Sequence, residues 1–135
     1  MKKHILEIGS RGSFTKTITE YDISAFAGVT GDFNPVHINE EAAKKSPFGR
    51  RIAHGMLTGS FISTVLGMKM PGEGTIYLEQ SLKFTAPVYI GDTCTASVEI
   101  TDILNEEKGI YKLDTQVINQ NGKVVSEGFA VVKYM

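Results

Sequence analysis

The sequence contains one cysteine, no tryptophan and no apolar run long enough to cross a membrane as a helix, which takes about 20 residues. The basic start Met1–His4 does not continue into a signal peptide, because Glu7 and Gly9 interrupt the apolar residues that follow. Cys94 has no second cysteine with which to form an internal disulfide. These absences predict a cytoplasmic protein that folds without covalent cross-links and does not enter a membrane.

An excess of charge of one sign is missing as well. The chain has 14 Lys and Arg residues against 15 Asp and Glu residues, a formal net charge of -1, and its cations form no stripe. Nucleic acid is therefore not expected as a partner. The 135 residues, 41% of them hydrophobic, suffice for one buried core. Since no repeat, low-complexity tract or linker interrupts them, we expect one domain over residues 1–135.

Helical signals fill the first half of the chain. A short strand is expected over residues 13–18. Thr19 then offers an N-cap for a helix through residues 21–29, with Gly31 as its stop. A second short helix is expected to begin at Asn39, where acidic residues precede lysines as the helix dipole favours.

The longest helix is expected from Gly55 to Met70. Its apolar residues recur near helical spacing and are Met56, Leu57, Phe61, Val65, Leu66 and Met68. Because this helix is apolar on most of its surface, we expect other elements to wrap it.

Strand signals fill the second half. Apolar and polar residues alternate over residues 76–84, 94–101, 111–117 and 123–133, and Asn121-Gly122 is a hairpin signal. Helices followed by sequential strands, without βαβ alternation, predict an α+β domain with an antiparallel sheet. The long apolar helix that precedes the strands predicts a sheet curled around it.

An acid and an imidazole lie five residues apart on a predicted bend. Asn34 precedes Pro35 and is therefore pushed to an extended conformation, which ends the helix before it. On such a bend Asp32 and His37 can converge, and a carboxylate and an imidazole are suited to pass protons in opposite directions near neutral pH. The alternative is that Asp32 merely caps a turn.

Gly55, at the start of the long helix, is the second candidate. A helix N-terminus carries free N–H groups and partial positive charge, which can stabilise a developing oxyanion. Glycine at this position would let a carbonyl oxygen approach the backbone. The alternative is that Gly55 only allows close packing between the helix and the sheet.

Four motifs together carry a resemblance to a known family. They are Gly31-Asp32-Phe33-Asn34-Pro35-Val36-His37, Phe48-Gly49, Ile52-Ala53-His54-Gly55-Met56 and Tyr77-Leu78-Glu79-Gln80-Ser81-Leu82-Lys83-Phe84. The chain resembles the MaoC-like hydratases over residues 14–133, and within them it is most similar to the single-domain (R)-specific enoyl-CoA hydratases.

The resemblance implies a hotdog fold, an antiparallel sheet wrapped around one long central helix, in a homodimer with thioester sites near the subunit interface. It implies a lyase of fatty acid metabolism that adds water reversibly to trans-2-enoyl-CoA and gives (R)-3-hydroxyacyl-CoA. Asp32 and His37 would form the catalytic dyad. Gly55 would supply an oxyanion-hole N–H, and Asn34 would orient the dyad or its water. No metal or redox cofactor is expected, and CoA enters as part of the substrate.

Ser63, Leu66 and Val131 match the family's acyl-lining positions, and their sizes suggest a short to medium acyl chain. Arg50 and Arg51 could contact CoA phosphates, but an exposed basic pair is better interpreted as a solvated turn.

The remaining candidates have structural interpretations. His4 is expected to be an exposed bystander, and Cys94 a core residue. His54 is either a hydrogen-bonded structural histidine or a proton donor. Three histidines and one cysteine at unrelated spacings give no metal-site pattern.

Two other functions are compatible with a hotdog domain. One is an acyl-CoA thioesterase, although the Asp-x-Asn-Pro-x-His stretch does not fit the thioesterase patterns. The other is a catalytically silent acyl-CoA-binding module, which the presence of both Asp32 and His37 argues against. Within the hydratase interpretation, acyl-carrier protein could replace CoA.

Overall fold

The computed structural model describes residues 6–135, which form four helices and one five-stranded sheet. In chain order these elements are β1 (Arg11–Thr17), α1 (Glu20–Thr30), α2 (Pro35–Ile38), α3 (Glu40–Lys44), α4 (Gly55–Met68), β2 (Ile76–Phe84), β3 (Thr93–Asn105), β4 (Ile110–Ile118) and β5 (Val124–Lys133). His4 lies outside the described residues. Within them, no helix is both long enough and apolar enough to span a membrane.

The strand order of the sheet is β1-β3-β4-β5-β2, and all neighbouring strands are antiparallel. The consecutive strands β3, β4 and β5 form a central meander, and β1 and β2 are its edges. Helix α4 contacts β1, β2, β3 and β4. The predicted α+β architecture, an antiparallel sheet around the long helix, is therefore confirmed.

The hydrophobic core lies between α4 and the sheet. Ile62 and Val65 on α4 are fully buried, as are Cys94 and Ile100 on β3. Buried and half-buried residues alternate along the first part of β3, as the period of two predicts. Cys94 is a core residue, as expected, and burial together with the nearby Asp92 carboxylate raises the pKa of its thiol to about 11.

Local signals set both ends of α1. Thr19 Oγ1 accepts a hydrogen bond from the Asp22 N–H (3.2 Å), and the Asp22 carboxylate accepts one from the Thr19 N–H (2.9 Å), which completes a capping box. At the other end Gly31 has a φ of 83°, a conformation that favours glycine, and its N–H donates to the Ala27 carbonyl (2.8 Å). Asp32 therefore follows directly after the helix end.

The short helix α2 was not predicted. Pro35 ends the extended stretch and is also the first residue of α2, where its missing N–H is not needed and its fixed φ suits a helix. His37 consequently lies on a helical turn rather than on an irregular bend.

Strand β2 and the end of α4 also differ from expectation. The alternation in β2 predicted a half-buried strand, but Ile76 (55%), Leu78 (51%) and Phe84 (53%) are more than half exposed. The reason is that β2 is an edge strand, paired with β5 on one side. Helix α4 ends at Met68, two residues earlier than predicted.

We expect Gly128→Ala to destabilise the protein, because a Cβ at Gly128 would lie 1.8 Å from the backbone oxygen of Ser81 and force β5 and β2 apart. Overpacking of this kind costs about 1–3 kcal/mol of unfolding free energy, which urea denaturation measures. Gly28→Ala on α1 is the control, since its Cβ would meet nothing within 4 Å. That change should stabilise by about 0.5–1 kcal/mol. Equal effects of the two substitutions would contradict this account of Gly128.

Candidate active site

Asp32 lies on the loop between α1 and α2, at the edge of a cleft. Its Oδ1 accepts a hydrogen bond from the Asn34 N–H (3.1 Å), and its own N–H donates to Thr30 Oγ1 (3.1 Å). The first bond closes an Asx turn, which holds the carboxylate on the chain segment that follows α1. The residue is exposed, so this carboxylate is accessible to a bound molecule.

His37 lies on α2, and the Asn34 side chain supports that helix by accepting a hydrogen bond from the Val36 N–H (3.4 Å). The His37 ring is buried, and its Nδ1 lies 2.8 Å from the Ile52 carbonyl oxygen. Because a carbonyl oxygen can only accept, Nδ1 carries the proton in this hydrogen bond. In the neutral ring Nε2 then keeps a lone pair, the arrangement that a general base requires.

Arg51 has a different environment from the one expected. It is buried rather than part of a solvated turn, and its Nε–H donates to the His37 carbonyl (2.7 Å) while Nη1 donates to Glu20 on α1 (2.6 Å). Arg51 thus joins α1 to α2. Arg50 does remain at the surface, with its guanidinium 4.1 Å from the centre of the Tyr89 ring.

His54 connects the two parts of the site. Its Nε2 lies 2.9 Å from the Asp32 carbonyl oxygen, and its ring stacks on that of His37 with centroids 3.9 Å apart. Phe26 of α1 also packs against it. As a result, nitrogen and carboxylate atoms of Asp32, His37 and His54 lie within 4.8 Å of one another. The structure thus brings together the two residues of the predicted dyad, with His54 as a third member.

The N-terminus of α4 faces the same cleft. His54 is the N-cap residue, but its side chain bonds to the Asp32 carbonyl and makes no hydrogen bond to the first turn of α4. Gly55 begins the helix, and a Cβ there would lie 2.6 Å from the Phe84 ring. The packing alternative for Gly55 therefore has direct support. A role for its N–H is compatible with the same geometry, since Gly55 also lines the cleft.

The cleft has a volume of about 660 Å³, within the range of small-molecule sites. Its polar lining includes Asp32, His37 and His54, and its apolar lining includes Phe26, Phe48, Met56, Phe84 and Val88. A cleft with few polar groups and a largely apolar wall suits a substrate that has an apolar chain next to a reactive polar group.

The three predicted acyl-lining residues have different environments. Ser63 is exposed and lines a second pocket, which shares Met56 with the cleft. Leu66 is buried in the hydrophobic core, and Val131 is half-buried on β5. Their role in acyl binding stays a prediction.

Sequence reasoning did not predict that Arg51 and the Ile52 carbonyl contact His37. Both contacts run to His37, from residues 14 and 15 positions away in the sequence. The adjacency of both residues to the His54-Gly55 motif is the one signal that could have indicated them.

Replacing Arg51 should destabilise the fold around His37. Arg51→Met removes the donors to the His37 carbonyl and to Glu20, and leaving a buried carbonyl unpaired costs about 1–3 kcal/mol of unfolding free energy. Arg50→Met removes the same charge from the surface and should change this free energy by less than about 0.5 kcal/mol. Chemical denaturation measures both, and similar losses would argue against a role for Arg51 in supporting α2.

Comparisons with known proteins agree with this geometry. A family model described as MaoC like domain matches residues 7–121. An (R)-specific enoyl-CoA hydratase of Rhodospirillum rubrum is 52% identical over 124 residues, covering 92% of this chain and 85% of that protein. A mitochondrial 3-hydroxyacyl-(acyl-carrier-protein) dehydratase of Arabidopsis thaliana is 36% identical over 130 residues, covering 95% and 77%.

The fold comparison gives the same result. The solved structure of an (R)-hydratase from A. caviae involved in PHA biosynthesis matches with a TM-score of 0.92 at 43% identity, covering 96% of this chain and 98% of that one. The family model and these relatives each span most of the chain. The chain belongs to the MaoC-like domain family.

Proposed function

We propose that this chain is an (R)-specific enoyl-CoA hydratase, a lyase that adds water reversibly to trans-2-enoyl-CoA, acting as a single domain over residues 1–135. The observation that carries the proposal is the convergence of Asp32 and His37 on one apolar cleft beside the start of α4. The high identity to a protein named as such a hydratase supports it. A cytoplasmic location is part of the proposal.

Asp32 and His37 would act on a water molecule held between them. Two hydrogen bonds of about 2.8 Å let one water join polar atoms that are at most about 5.6 Å apart, and side-chain atoms of this group lie within 4.8 Å of one another. One O–H bond of the water breaks as its oxygen bonds to C3 of the substrate. The electron pair moves through C2 to the thioester oxygen, and C2 then takes a proton from the same side.

The dyad returns to its starting protonation state in each turnover, since it accepts one proton and delivers one. The two groups are close enough for the roles of base and acid to be shared between them. Each proton transfer contributes about 10²–10⁴ to the rate.

Negative charge develops on the thioester oxygen during the addition, and the Gly55 N–H is the proposed donor to it. The first N–H groups of a helix have no partner within the helix and point outwards from its start. Donors of this kind, fixed in place before the reaction, stabilise an oxyanion without reorganisation. Asn34 would act less directly, through its N–H on the Asp32 carboxylate and its cap on α2.

The proposed reaction uses no metal or redox cofactor. A metal ion lies about 2.0–2.1 Å from each histidine nitrogen that binds it, in the plane of that ring. His37 and His54 are stacked with planes only 28° apart, so their in-plane lone pairs do not converge on one point. The group is better suited to proton transfer, with CoA or acyl-carrier protein entering as part of the substrate.

Substitution of the dyad tests the function directly. With crotonyl-CoA, the wild type should lower the absorbance of the conjugated enoyl thioester until the hydration reaches equilibrium. Asp32→Asn and His37→Gln should each lower the rate by about 10²–10⁴. The exposed acid Asp114 on β4 gives the control, and Asp114→Asn should behave as wild type. The product should be oxidised by an (R)-specific but not by an (S)-specific hydroxyacyl-CoA dehydrogenase.

Two results would contradict the proposed hydratase function. If the wild type leaves the absorbance unchanged with enoyl chains from short to medium length, on both CoA and acyl-carrier protein, then the chain is a silent binding module. Release of free thiol from a saturated acyl-CoA would identify a thioesterase instead.

The proposed partner of the chain is a second copy of itself. β2 is an edge strand with exposed apolar side chains at Ile76, Leu78 and Phe84, and such an edge favours pairing. Phe84 also lines the cleft, so a partner on β2 would lie close to the proposed site.

Sedimentation should therefore give about twice the 14.7 kDa mass of the chain. Leu78→Lys places a charge on the β2 edge and should shift the protein towards monomer. Leu104 on β3 is equally exposed, at 54% against 51%, and Leu104→Lys should leave the dimer intact. A monomeric wild type would refute this part of the proposal.

A further inference from the structure

His54 makes two contacts that bear on the proposed dyad. Its Nε2–H donates to the backbone carbonyl of Asp32 (2.9 Å), since a carbonyl can only accept, and its ring stacks on His37. The residue is 97% buried, with 3% relative exposure. It thus contacts both members of the proposed dyad, the backbone of Asp32 and the ring of His37.

The other ring nitrogen shows which of these contacts needs a histidine. With the proton on Nε2, neutral His54 has an acceptor lone pair on Nδ1, and Nδ1 is buried without a hydrogen-bond partner in residues 6–135. A buried polar atom that makes no hydrogen bond is unfavourable. Phenylalanine would stack on His37 and Phe26 without that penalty. What histidine adds over phenylalanine is the Nε2–H donor.

The Asp32 carbonyl lies in a loop that no helix or strand holds in place. Asp32 lies between the end of α1 at Gly31 and the first residue of α2, Pro35, so its backbone belongs to neither helix. Its local hydrogen bonds to Thr30 and Asn34 are within the same short loop. The bond from His54 is the long-range contact, from 22 residues away, and it ties this loop to the start of α4.

We propose that His54 is a positioning residue whose Nε2–H holds the Asp32 backbone and thereby aims the Asp32 carboxylate at the reacting water. This inference rests on the proposed hydratase function. It assigns no proton transfer to His54. The same bond fixes the distance between the carboxylate and the N-terminus of α4, the two parts that would meet the substrate at C3 and at the thioester oxygen.

Two variants separate the effect of the His54 Nε2–H donor on kcat from the effect of its stacked ring. His54→Phe keeps a stacking ring and removes the donor, so kcat for crotonyl-CoA should fall about 10–100-fold, the scale expected when a reacting group is misplaced by about 1 Å, while KM changes by less than about threefold. His54→Gln restores an N–H at a similar reach and loses the stack. Its kcat should therefore lie between those of His54→Phe and the wild type.

A core substitution controls for stability. Ile62→Val alters a fully buried residue of α4 that lies outside the site, and it should leave kcat unchanged at temperatures where all variants are folded. If His54→Phe keeps wild-type kcat, the donor has no positioning role. A kcat loss in Ile62→Val equal to that in His54→Phe would also overturn the proposal, since stability alone would then explain it.

A measurement without turnover keeps this test apart from that of the proposed function. Long-range ¹H–¹⁵N correlation spectra of the wild type at pH 8 report which ring nitrogen carries the proton. The proposal requires the Nε2–H tautomer for His54. It also requires that the Nε2 signal changes only in variants that displace the Asp32 backbone. The Nδ1–H tautomer would overturn it even in an active hydratase, and the Nε2–H tautomer in a protein without hydratase activity would reject the function while retaining the contact.

Discussion

The packing of α4 against the sheet is the constraint on which both the core and the cleft depend. Gly55 and Gly59 are one turn apart on α4, and a Cβ at either would lie 2.6 Å from a side chain of β2, Phe84 and Leu82 respectively. Two positions without side chains therefore let the helix approach the strand closely. The same close packing leaves the first turn of α4 beside the cleft. Contact between α4 and β2 therefore closes the core and also places the N-terminus of α4 at the proposed site.

The site is held mainly by hydrogen bonds to backbone carbonyls. Ring or guanidinium N–H groups of His37, Arg51 and His54 donate to the carbonyls of Ile52, His37 and Asp32 respectively. A carbonyl fixes which nitrogen of an imidazole carries the proton, as a second acidic side chain would, but it adds no charge. Asp32 thus supplies the one carboxylate in the group of Asp32, His37 and His54. No second acidic side chain in this group orients a histidine ring.

Much of the fold could be predicted because its signals are local. The capping box of Thr19 and Asp22 and the stop at Gly31 depend on residues within a few positions of each other, and so does the alternation in β3. The start of α2 was not predicted because one residue, Pro35, both excludes the preceding helix and begins the next. The exposure of β2 depends on its place at the sheet edge, which alternation does not reveal.

The candidate site divides in the same way. The convergence of Asp32 and His37 was predicted from a short motif. The burial of Arg51 could not be, because it requires α1 to bring Glu20 and α2 to bring the His37 carbonyl to the same place. Ser63 and Leu66 share a helix face by spacing, yet one is exposed and the other buried, because the sheet covers only part of that face.

The strand order has a consequence for how the molecule assembles. The meander β3-β4-β5 closes through short loops, whereas β1 reaches its place beside β3 across 80 residues, as the Thr15–Thr95 contact marks. Closing a longer loop costs more chain entropy, and such long-range pairing slows folding. The segment from Thr30 to Gly55 belongs to that long loop. A chain with the meander alone has no site, so catalytic competence would mark the completion of folding rather than the formation of its first stable part.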